Sequence, residues 1–487
     1  MLNYCKISVQ LLYIIKKLIP IKLFKKLQPA YHFVLAWLAA VLHRFPSNKL
    51  IVIGVTGTTG KSTSVHLIAK TLEYAGYKVG YTSTAMFKVA EKEWMNDKKM
   101  TMPGRFFTQS MLRRMAKAGC EYAIIETTSQ GIEQFRHRFI NYDILVFTGL
   151  YSEHIEAHGG FENYKLAKGK LFAHLARCQP KYVNAKKKVQ LIKNEIKKIH
   201  LERVKKIIIA NGDDEYAEYF LGFKAEEKLV YKVESHKVHK VADNSITQIV
   251  ANNVAVKSDG VQFFVDGVEF NLQLMGEFNI YNALTAVCVG LIQGLSLEQI
   301  KDGLEKINGV PGRFERITHL TPDPSPYKGE RSNTNFTVIV DYAYEPKAVE
   351  KLYEAIKLIE HNKIIHVLGS AGGGRDVARR PVLGKTAGER ADIIIVTNED
   401  PYDDDPQIII DQVALGAEQV GKILDKNLFK IMDRREAIKK ALQFACAGDL
   451  VLITGKGCEQ AICVAGGKKI PWDDREVVRE ELGKFTP

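Results

Sequence analysis

The stretch Leu50-Ile-Val-Ile-Gly-Val-Thr-Gly57-Thr-Thr-Gly-Lys61-Ser62 joins a short apolar run to a glycine-rich loop. A helical pattern from about Lys61 to Ala75 follows the loop. A glycine-rich turn between a buried strand and a helix directs backbone N–H groups at a phosphate, and the helix N-terminus adds partial positive charge. Lys61 can reach the terminal phosphates and Ser62 can hold Mg²⁺. The stretch therefore predicts the first βα unit of a nucleotide-binding sheet.

Further strands are predicted on both sides of this unit. The apolar runs Tyr122 to Ile125 and Ile144 to Phe147 are expected in the same parallel sheet. Residues 185–245 and 247–274 are expected to lie at the periphery of the sheet. The latter segment alternates as antiparallel hairpins do, with Asp266-Gly267 as one turn.

A second α/β series begins near Phe336. Its predicted helices include 346–360 and 434–446, and its predicted strands are Thr337 to Val340, Ile364 to Leu368, Ile393 to Val396 and Leu450 to Ile453. The fold class is α/β: a P-loop-type central domain with a mainly parallel sheet, then a C-terminal Rossmann-like α/β domain. We expect a basic apolar segment at 1–48, the central domain at 49–311 and the last domain at 312–487.

The N-terminal segment 1–48 has an unusual charge balance. The chain carries a formal net charge of +13, and this segment contributes seven basic residues and no acid. Its longest apolar stretch, 30–42, is shorter than the roughly 20 residues that cross a bilayer. Two interpretations stay open: an amphipathic helix pair lying on a membrane surface, or an apolar face that packs on the next domain.

The seven cysteines contain no CxxC pair, which argues against a disulfide framework and a zinc ribbon. We expect a reducing cytoplasmic compartment, at or near the inner face of the membrane. We expect a monomer that has no nucleic acid partner.

Further motifs follow the glycine loop in a fixed order. They are Glu126-Thr-Thr-Ser129, Glu153-His154 with His158-Gly159, Tyr164-x-x-Ala-Lys168-x-x-Leu-Phe172, Gly276-x-Phe-Asn-x-x-Asn282, Gly309-Val-Pro-Gly-Arg313-Phe-Glu-Arg316, Asp341-Tyr-Ala-Tyr344, Gly372-Gly-Gly-Arg375-Asp376, Asp400-Pro401, Asp433-Arg-Arg435 and Gly455-Lys-Gly-Cys458-Glu459. The general phosphate loop has a glycine where this chain has Val55, but the variant Gly57-Thr-x-Gly-Lys-Ser, together with these motifs, resembles the Mur ligases, ATP-dependent enzymes that build the peptide of bacterial cell-wall precursors.

One segment indicates a branch of that family. Thr128-Ser129-Gln130-x-x-x-Gln134-x-Arg136 resembles the Ser-Ser-His-x-x-x-Gln-x-Arg segment of the ligases that add a diamino acid to UDP-N-acetylmuramoyl-L-Ala-D-Glu. The resemblance implies a muramyl-peptide precursor and a diamino acid as substrates, joined through an acyl phosphate. Alternatives are a lipid-linked or other carboxylate donor, a polyglutamate-type ligase, and a nucleotide-binding scaffold without activity.

The resemblance also implies ATP and Mg²⁺ as cofactors, and a set of site residues. The catalytic positions would be Lys61, Glu126, His154 and Lys168, with Lys168 carbamylated, and the metal ligands Ser62, Glu126, His154 and Lys168. The ATP-binding positions would be Gly57, Thr58, Thr59, Gly60, Lys61, Ser62, Thr63, Asn279, Asn282, Arg313 and Asp341. The substrate-binding positions would be Thr101, Thr128, Ser129, Gln134, Arg136, Arg375, Glu399, Asp400, Tyr402, Gly455 and Glu459.

Several assignments have alternatives. Asn279 and Asn282 could instead be helix N-caps, and Arg313 could be a hinge contact only. Family members that use meso-diaminopimelate carry an arginine where this chain has Tyr402, so a lysine-like or ornithine-like substrate is an alternative to meso-diaminopimelate. Tyr344 and Cys458 stand where histidines are usual.

The front of the chain departs most from the family pattern. Members carry a UDP-binding domain of roughly a hundred residues before the ATP loop, a common size for a small domain, whereas residues 1–48 are short, basic and apolar. We therefore expect that domain to be missing or replaced here.

Overall fold

The structure is a computed structural model that describes residues 21–151, 158–184, 201–234, 246–317, 336–375 and 377–484. The α-helices in these ranges are α1 (Ile21–Leu42), α2 (Lys61–Tyr74), α3 (Arg105–Lys117), α4 (Ser129–Glu133), α5 (Phe161–Leu175), α6 (Ala217–Leu221), α7 (Phe278–Ile292), α8 (Leu297–Leu304), α9 (Pro346–Ile356), α10 (Arg379–Gly388), α11 (Pro406–Glu418), α12 (Arg434–Phe444) and α13 (Asp474–Gly483).

The strands run from the phosphate-loop strand to a C-terminal hairpin. They are β1 (Ile51–Thr56), β2 (Val79–Thr82), β3 (Met86–Val89), β4 (Lys92–Met95), β5 (Tyr122–Glu126), β6 (Ile144–Phe147), β7 (Lys181–Asn184), β8 (Leu201–Val204), β9 (Ile207–Asn211), β10 (Glu227–Val233), β11 (Thr247–Lys257), β12 (Gly260–Val265), β13 (Val268–Leu272), β14 (Glu315–Ile317), β15 (Thr337–Asp341), β16 (Ile364–Leu368), β17 (Ile393–Thr397), β18 (Leu428–Ile431), β19 (Leu450–Thr454), β20 (Ala461–Val464) and β21 (Lys468–Pro471).

The first sheet has eleven strands in the order β13-β12-β11-β10-β9-β6-β1-β5-β2-β3-β4. Strand β1 lies between β5 and β6 and pairs parallel with both, so that Ile53 aligns with Ile124 and with Ile144. Every residue of β1 is buried, as is usual for a strand that is covered by helices on both faces. The predicted parallel sheet around the glycine loop is confirmed.

Segments that we expected at the periphery of this sheet lie partly inside it. Strand β9 pairs parallel with β6 and with β10, and β10 pairs parallel with β11. The expectation was wrong for these strands because the apolar run of β9 is short and lies in a lysine-rich sequence, yet its first four residues are buried. The predicted hairpins are confirmed in β11–β13, and Asp266 and Gly267 both have the positive φ of a tight hairpin turn.

The second sheet has the order β14-β15-β19-β16-β17-β18, with all pairs parallel except β14 with β15. The four predicted strands of the second series are confirmed as β15, β16, β17 and β19. Since the carboxyl ends of parallel strands meet at one edge, the segments after Asp341, Thr397 and Thr454 lie side by side. Ligands bind at this edge in open α/β sheets.

Among the described side chains of helix α1, residues 27–42, one face packs on the first sheet's layer of helices. Ala36, Ala39 and Ala40 are buried, and Arg113 of α3 donates to the carbonyl oxygen of Leu42 at 3.1 Å. The interpretation that an apolar face of the N-terminal segment packs on the next domain is therefore confirmed for the face that carries these alanines. Within the described ranges, no helix combines the length and apolar character needed to cross a bilayer.

Candidate active site

A single cleft of about 910 Å³ runs between the carboxyl edges of the two sheets. It is lined by most of the predicted site residues: Thr58, Thr59, Gly60, Lys61, Ser62, Thr63, Thr101, Glu126, Thr128, Ser129, Arg136, Asn279, Asn282, Arg313, Asp341, Arg375, Glu399, Asp400, Tyr402, Gly455 and Glu459. Residues as far apart in sequence as Thr58 and Glu459 thus line the same cleft.

The phosphate loop leads from β1 directly into α2, which begins at Lys61. Gly60 has a φ of 80°, and a Cβ there would lie 2.5 Å from Oδ1 of Asn282, so only glycine fits. The first N–H groups of a helix have no partner inside it, which suits the loop to an anion. Lys61 donates from Nζ to the carbonyl oxygen of Thr58 at 2.6 Å, and burial lowers its pKa.

Ser62 and Glu126 meet beside the loop. The Ser62 hydroxyl donates to Oε2 of Glu126 at 2.9 Å. Thr84 holds the same carboxylate from the other side, with its backbone N–H donating to Oε2 at 2.7 Å and its hydroxyl to Oε1 at 2.9 Å. The hydroxyl of Thr101 lies 2.9 Å from that of Thr84 and is hydrogen-bonded to it. A hydroxyl and a carboxylate in contact are the oxygen donors that Mg²⁺ prefers.

Lys168 lies behind the loop rather than on the cleft wall. Its side chain is buried and donates from Nζ to the carbonyl oxygen of Gly57 at 2.8 Å. Burial, followed by the charge of Lys61, lowers the pKa of Lys168 well below its usual value. His154 lies outside the described residues, so its predicted place beside Lys168 stays a prediction.

The predicted metal ligands are only partly assembled by the described residues. Among these residues, no three histidine, cysteine, aspartate or glutamate side chains lie close enough to share an ion. Ser62 and Glu126 do fit a Mg²⁺ that is also held by nucleotide phosphates, since such sites commonly use one or two protein oxygens.

Asn279 and Asn282 lie on one face of α7, facing the phosphate loop. Asn282 donates to Oδ1 of Asn279 at 2.9 Å and accepts from the hydroxyl of Ser64 at 3.4 Å. The helix is capped at Glu277 without a side-chain hydrogen bond, so neither asparagine is an N-cap. The alternative role is excluded, and both side chains line the cleft.

Arg313 connects the two sheets. Its Nη2 donates to Oγ of Ser62 at 3.3 Å, and its guanidinium lies 4.2 Å from the ring centroid of Tyr342. Asp341 lines the cleft, but its two oxygens accept from the backbone N–H groups of Phe314 and Ala343, each at 2.6 Å. Asp341 therefore holds the turn that carries Arg313.

The predicted donor residues surround the start of α4. Thr128 caps this helix by accepting from the N–H of Gly131 at 3.1 Å, and Ser129 contacts Nε2 of His158 at 3.0 Å. Gln134 does not line the cleft; its Oε1 accepts from Nε of Arg136 at 3.1 Å. Gln134 thus orients Arg136, whose pKa is lowered to about 10 by burial and by nearby Arg105.

Arg375 and Tyr402 stand on the opposite wall. Arg375 donates from Nη2 to the hydroxyl of Tyr402 at 3.1 Å and lies 5.6 Å from its ring centroid. Gly455 has a φ of 106°, and a Cβ there would lie 2.5 Å from Oε2 of Glu399. That oxygen has no hydrogen-bond partner among the described residues. Burial, followed by the charge of Asp400, raises the pKa of Glu399.

Four residues of the site were not predicted. Thr84 holds Glu126, and Glu345 accepts from the hydroxyl of Tyr151 at 3.0 Å beside the cleft. Lys99 and Lys456 contact Asp400 and Glu459. Lys456 stands inside the quoted Gly455-Lys-Gly motif and could have been singled out there. Lys99 follows another lysine in an ordinary polar segment. No sequence motif there indicates a role in the site.

Comparison with known sequences agrees with this geometry. Residues 55–206 and 197–290 match the Mur ligase middle domain, and residues 327–457 match the family described as Mur ligase, glutamate ligase domain. The chain is 36% identical over 465 residues to a UDP-N-acetylmuramyl-tripeptide synthetase of Roseiflexus sp. (strain RS-1), covering 94% of this chain and 83% of that one. It is 32% identical over 438 residues to a UDP-N-acetylmuramoyl-L-alanyl-D-glutamate--2,6-diaminopimelate ligase of Aquifex aeolicus, covering 90% and 78%.

Solved structures share the fold. One of a UDP-N-acetylmuramoyl-L-alanyl-D-glutamate--2,6-diaminopimelate ligase superposes with a TM-score of 0.53 at 26% identity, covering 89% of this chain and 78% of that one. A Mycobacterium tuberculosis folylpolyglutamate synthase complexed with ADP superposes with a TM-score of 0.61 at 16% identity, covering 93% and 94%, and supports the fold alone. By its sequence and its fold, the chain belongs to the Mur ligase family of ATP-dependent ligases.

Proposed function

We propose that this enzyme is an ADP-forming ligase that joins a diamino acid to a muramoyl-L-Ala-D-Glu peptidoglycan precursor. The observation that carries the proposal is the shared cleft, which brings the phosphate loop, Arg136 and the acids Asp400 and Glu459 around one space. The names of the relatives from Roseiflexus and Aquifex support the same donor. We assign the central domain to 49–311 and the amino-acid-binding domain to 312–487.

In the first step a donor carboxylate oxygen attacks the γ-phosphorus, and the bond to ADP breaks. Carboxylate and triphosphate repel each other, so cationic groups must lie between them. Lys61 and Arg313 supply two such groups on the nucleotide side, and Arg136 supplies one on the donor side. Mg²⁺, held by Ser62 and Glu126, would add charge neutralisation at the phosphates. The product is an acyl phosphate.

In the second step the amine nitrogen of the diamino acid attacks the acyl carbon. A tetrahedral intermediate forms, phosphate leaves, and the nitrogen releases a proton. Arg375 suits the α-carboxylate of this substrate, because guanidinium binds carboxylates in pairs of hydrogen bonds. We propose that a carbamylated Lys168, together with His154, completes the metal site. The neutral amine that burial favours in Lys168 is the form that reacts with carbon dioxide.

Two features of the chain bear on which amino acid it uses. The names of the relatives favour meso-diaminopimelate, whereas Tyr402 favours lysine or ornithine because it offers no positive charge to a distal carboxylate. A UDP-linked donor and a lipid-linked donor present the same sugar-peptide carboxylate, so the chemistry of the site admits both.

The test is ADP release by the purified enzyme with UDP-N-acetylmuramoyl-L-Ala-D-Glu and, in turn, L-lysine, L-ornithine, meso-diaminopimelate and L-glutamate. We expect release with one of the diamino acids and a loss of at least about 100-fold in Lys61→Ala, with Lys98→Ala as the exposed control. If none of the diamino acids gave ADP release, the assignment to the ligases that add a diamino acid would be contradicted. Release with a folate donor and glutamate would favour the polyglutamate alternative.

We also propose that the enzyme is a cytoplasmic monomer. It binds the inner face of the membrane by contacting acidic phospholipids. The outer face of α1 is apolar and exposed, with Trp37 46% and Leu42 64% exposed. The exposed apolar side chains of this face are Leu27, Tyr31, Val34, Trp37, Leu38, Val41 and Leu42. Anionic headgroups complement the seven basic and no acidic residues of 1–48.

The membrane proposal is tested with vesicles of phosphatidylglycerol and of phosphatidylcholine. We expect the enzyme to sediment with the former, with brominated lipid quenching Trp37 but not Trp94 and Trp472. The double variant Val34→Ser, Leu38→Ser should lose sedimentation and keep ADP release. Equal sedimentation of the variant, or self-association of the wild type that the variant abolishes, would overturn the proposal.

A further inference from the structure

Asp400 is enclosed by donors on the C-terminal wall of the cleft. Its Oδ1 accepts from Nζ of Lys456 at 3.0 Å and from the N–H of Cys463 at 2.7 Å. Its Oδ2 accepts from Nζ of Lys456 at 3.1 Å and from Nζ of Lys99 at 2.5 Å. Each oxygen therefore has two donors, which fills its usual capacity.

Glu459 is enclosed by the same two lysines. Its Oε2 accepts from Nζ of Lys456 at 2.8 Å and from Nζ of Lys99, and its Oε1 accepts from the hydroxyl of Tyr342 at 3.0 Å. Two ammonium groups thus balance two carboxylates in a closed cluster. Burial works to raise the pKa of Glu459, but Lys456 and Lys99 outweigh it and hold that pKa at about 2.

The two lysines differ in how they are held. Lys456 has no exposed side-chain area, belongs to the same wall as the acids, and makes a further bond to the carbonyl oxygen of Ala461 at 2.7 Å. Lys99 comes from the loop between β4 and α3, 301 residues from Asp400 in sequence. Its φ of 55° is unfavourable for a residue with a Cβ. Lys99 is therefore the group that can leave.

We propose that the Lys99 ammonium occupies the subsite for the side-chain ammonium of the incoming diamino acid, and that the substrate binds by displacing it. The inference rests on the proposed function, because it takes Asp400 and Glu459 as the acids that receive this ammonium. A cation is the group that can replace Lys99 there, since removing it without replacement leaves buried carboxylates uncompensated. Lys99 thus selects substrates that carry a second amine.

Displacement has a measurable consequence for affinity. A site that is free only part of the time binds its ligand more weakly by that fraction, and a tethered lysine competes at a high effective concentration. Removing the ammonium of Lys99 should therefore tighten binding of the diamino acid. A residue that contacted the substrate would have the opposite effect.

The experiment is calorimetric titration of L-lysine, and separately of butylamine, into the full chain. In Lys99→Met, which keeps the alkyl stem, we expect the Kd for L-lysine to fall about tenfold, and butylamine to compete with L-lysine. In Lys99→Arg, which keeps a cation, the Kd should stay near the wild-type value. Lys98→Met is the matched control, since Lys98 pairs with exposed Asp97 instead.

The outcomes separate this inference from the proposed function. An unchanged or higher Kd in Lys99→Met, or no binding of L-lysine to any of the proteins, overturns the inference. Ligation is decided independently by ADP release with the acceptor panel. If release occurs, the KM for the productive diamino acid should fall in Lys99→Met, and a rise in that KM would instead assign Lys99 to a carboxylate of the substrate.

Discussion

Lys168 donates a hydrogen bond from Nζ to the backbone carbonyl oxygen of Gly57 at 2.8 Å, which joins the interior of α5 to the first residue of the phosphate loop. The lysine is 1% exposed and no carboxylate pairs with it within the described residues. A buried amine of this kind is favoured in its neutral form. Its position next to the loop makes it a candidate for chemistry rather than for packing.

Carbamylation of Lys168 is therefore expected. Enzyme incubated with ¹³C-bicarbonate should show a carbamate signal by NMR that is absent in Lys168→Met, and ADP release by that variant should fall about 100-fold. Lys170→Met is the control, since Lys170 is exposed and pairs with Glu133. A variant that keeps both the label and the rate would contradict the assignment.

Arg313 should couple nucleotide binding to closure of the cleft. Arg313→Ala removes the bond to Ser62 and the contact with Tyr342, so we expect a rise of about tenfold in the KM for ATP and a fall of at least about tenfold in kcat. Steady-state ADP release measures both. Arg316→Ala alters an exposed arginine three residues away and should leave both constants near wild type. If the two variants had equal effects, Arg313 would be a structural hinge contact without a role in nucleotide binding.

Tyr402 should influence the choice of amino acid. On the proposed function, Tyr402→Arg brings a guanidinium to the expected position of the distal carboxylate of meso-diaminopimelate. The ratio of kcat/KM for meso-diaminopimelate to that for L-lysine should therefore rise about tenfold or more. Competition between the two substrates, followed by mass analysis of the products, gives this ratio. Tyr182→Arg introduces the same charge at an exposed site. A ratio that does not change would contradict a role for Tyr402 in selection.

His366 should make the second domain sensitive to acid. Burial, followed by the charge of Arg434, lowers the pKa of His366 to about 3, and its ring contacts the hydroxyls of Tyr353 at 2.7 Å and Thr454 at 2.9 Å. Between the unfolded pKa near 6.5 and the folded value, only the unfolded state binds the proton. The free energy of unfolding therefore falls as the pH falls through this window, by about 1.4 kcal/mol per unit.

Urea unfolding at pH 7.5 and pH 5 tests this expectation. His366→Gln lacks the titrating group, so it should lose about 2 kcal/mol less than the wild type between the two values. His361→Gln is the matched control in the adjacent loop and should behave like the wild type. An identical loss in all three proteins would show that His366 does not cause the acid sensitivity.

Local sequence was sufficient for the strands that are long apolar runs. Strand β1 and the four predicted strands of the second sheet are bounded by polar residues or turns, and their burial on both faces leaves a continuous apolar signal. Strands β3 and β4 escaped prediction, because a lysine, Lys88 or Lys92, interrupts the apolar pattern of each. Such segments become strands through pairing with β2 and with each other.

The sequence by itself determined the phosphate loop, the parallel sheets and the family, because glycine turns, apolar periodicity and ordered motifs are properties of neighbouring residues. Only the tertiary structure decided that Arg313 contacts Ser62 and that Lys99 contacts the acids Asp400 and Glu459 of the opposite wall. These contacts join residues up to 360 positions apart. They depend on how two separate sheets face each other, and no local pattern of side chains encodes that arrangement.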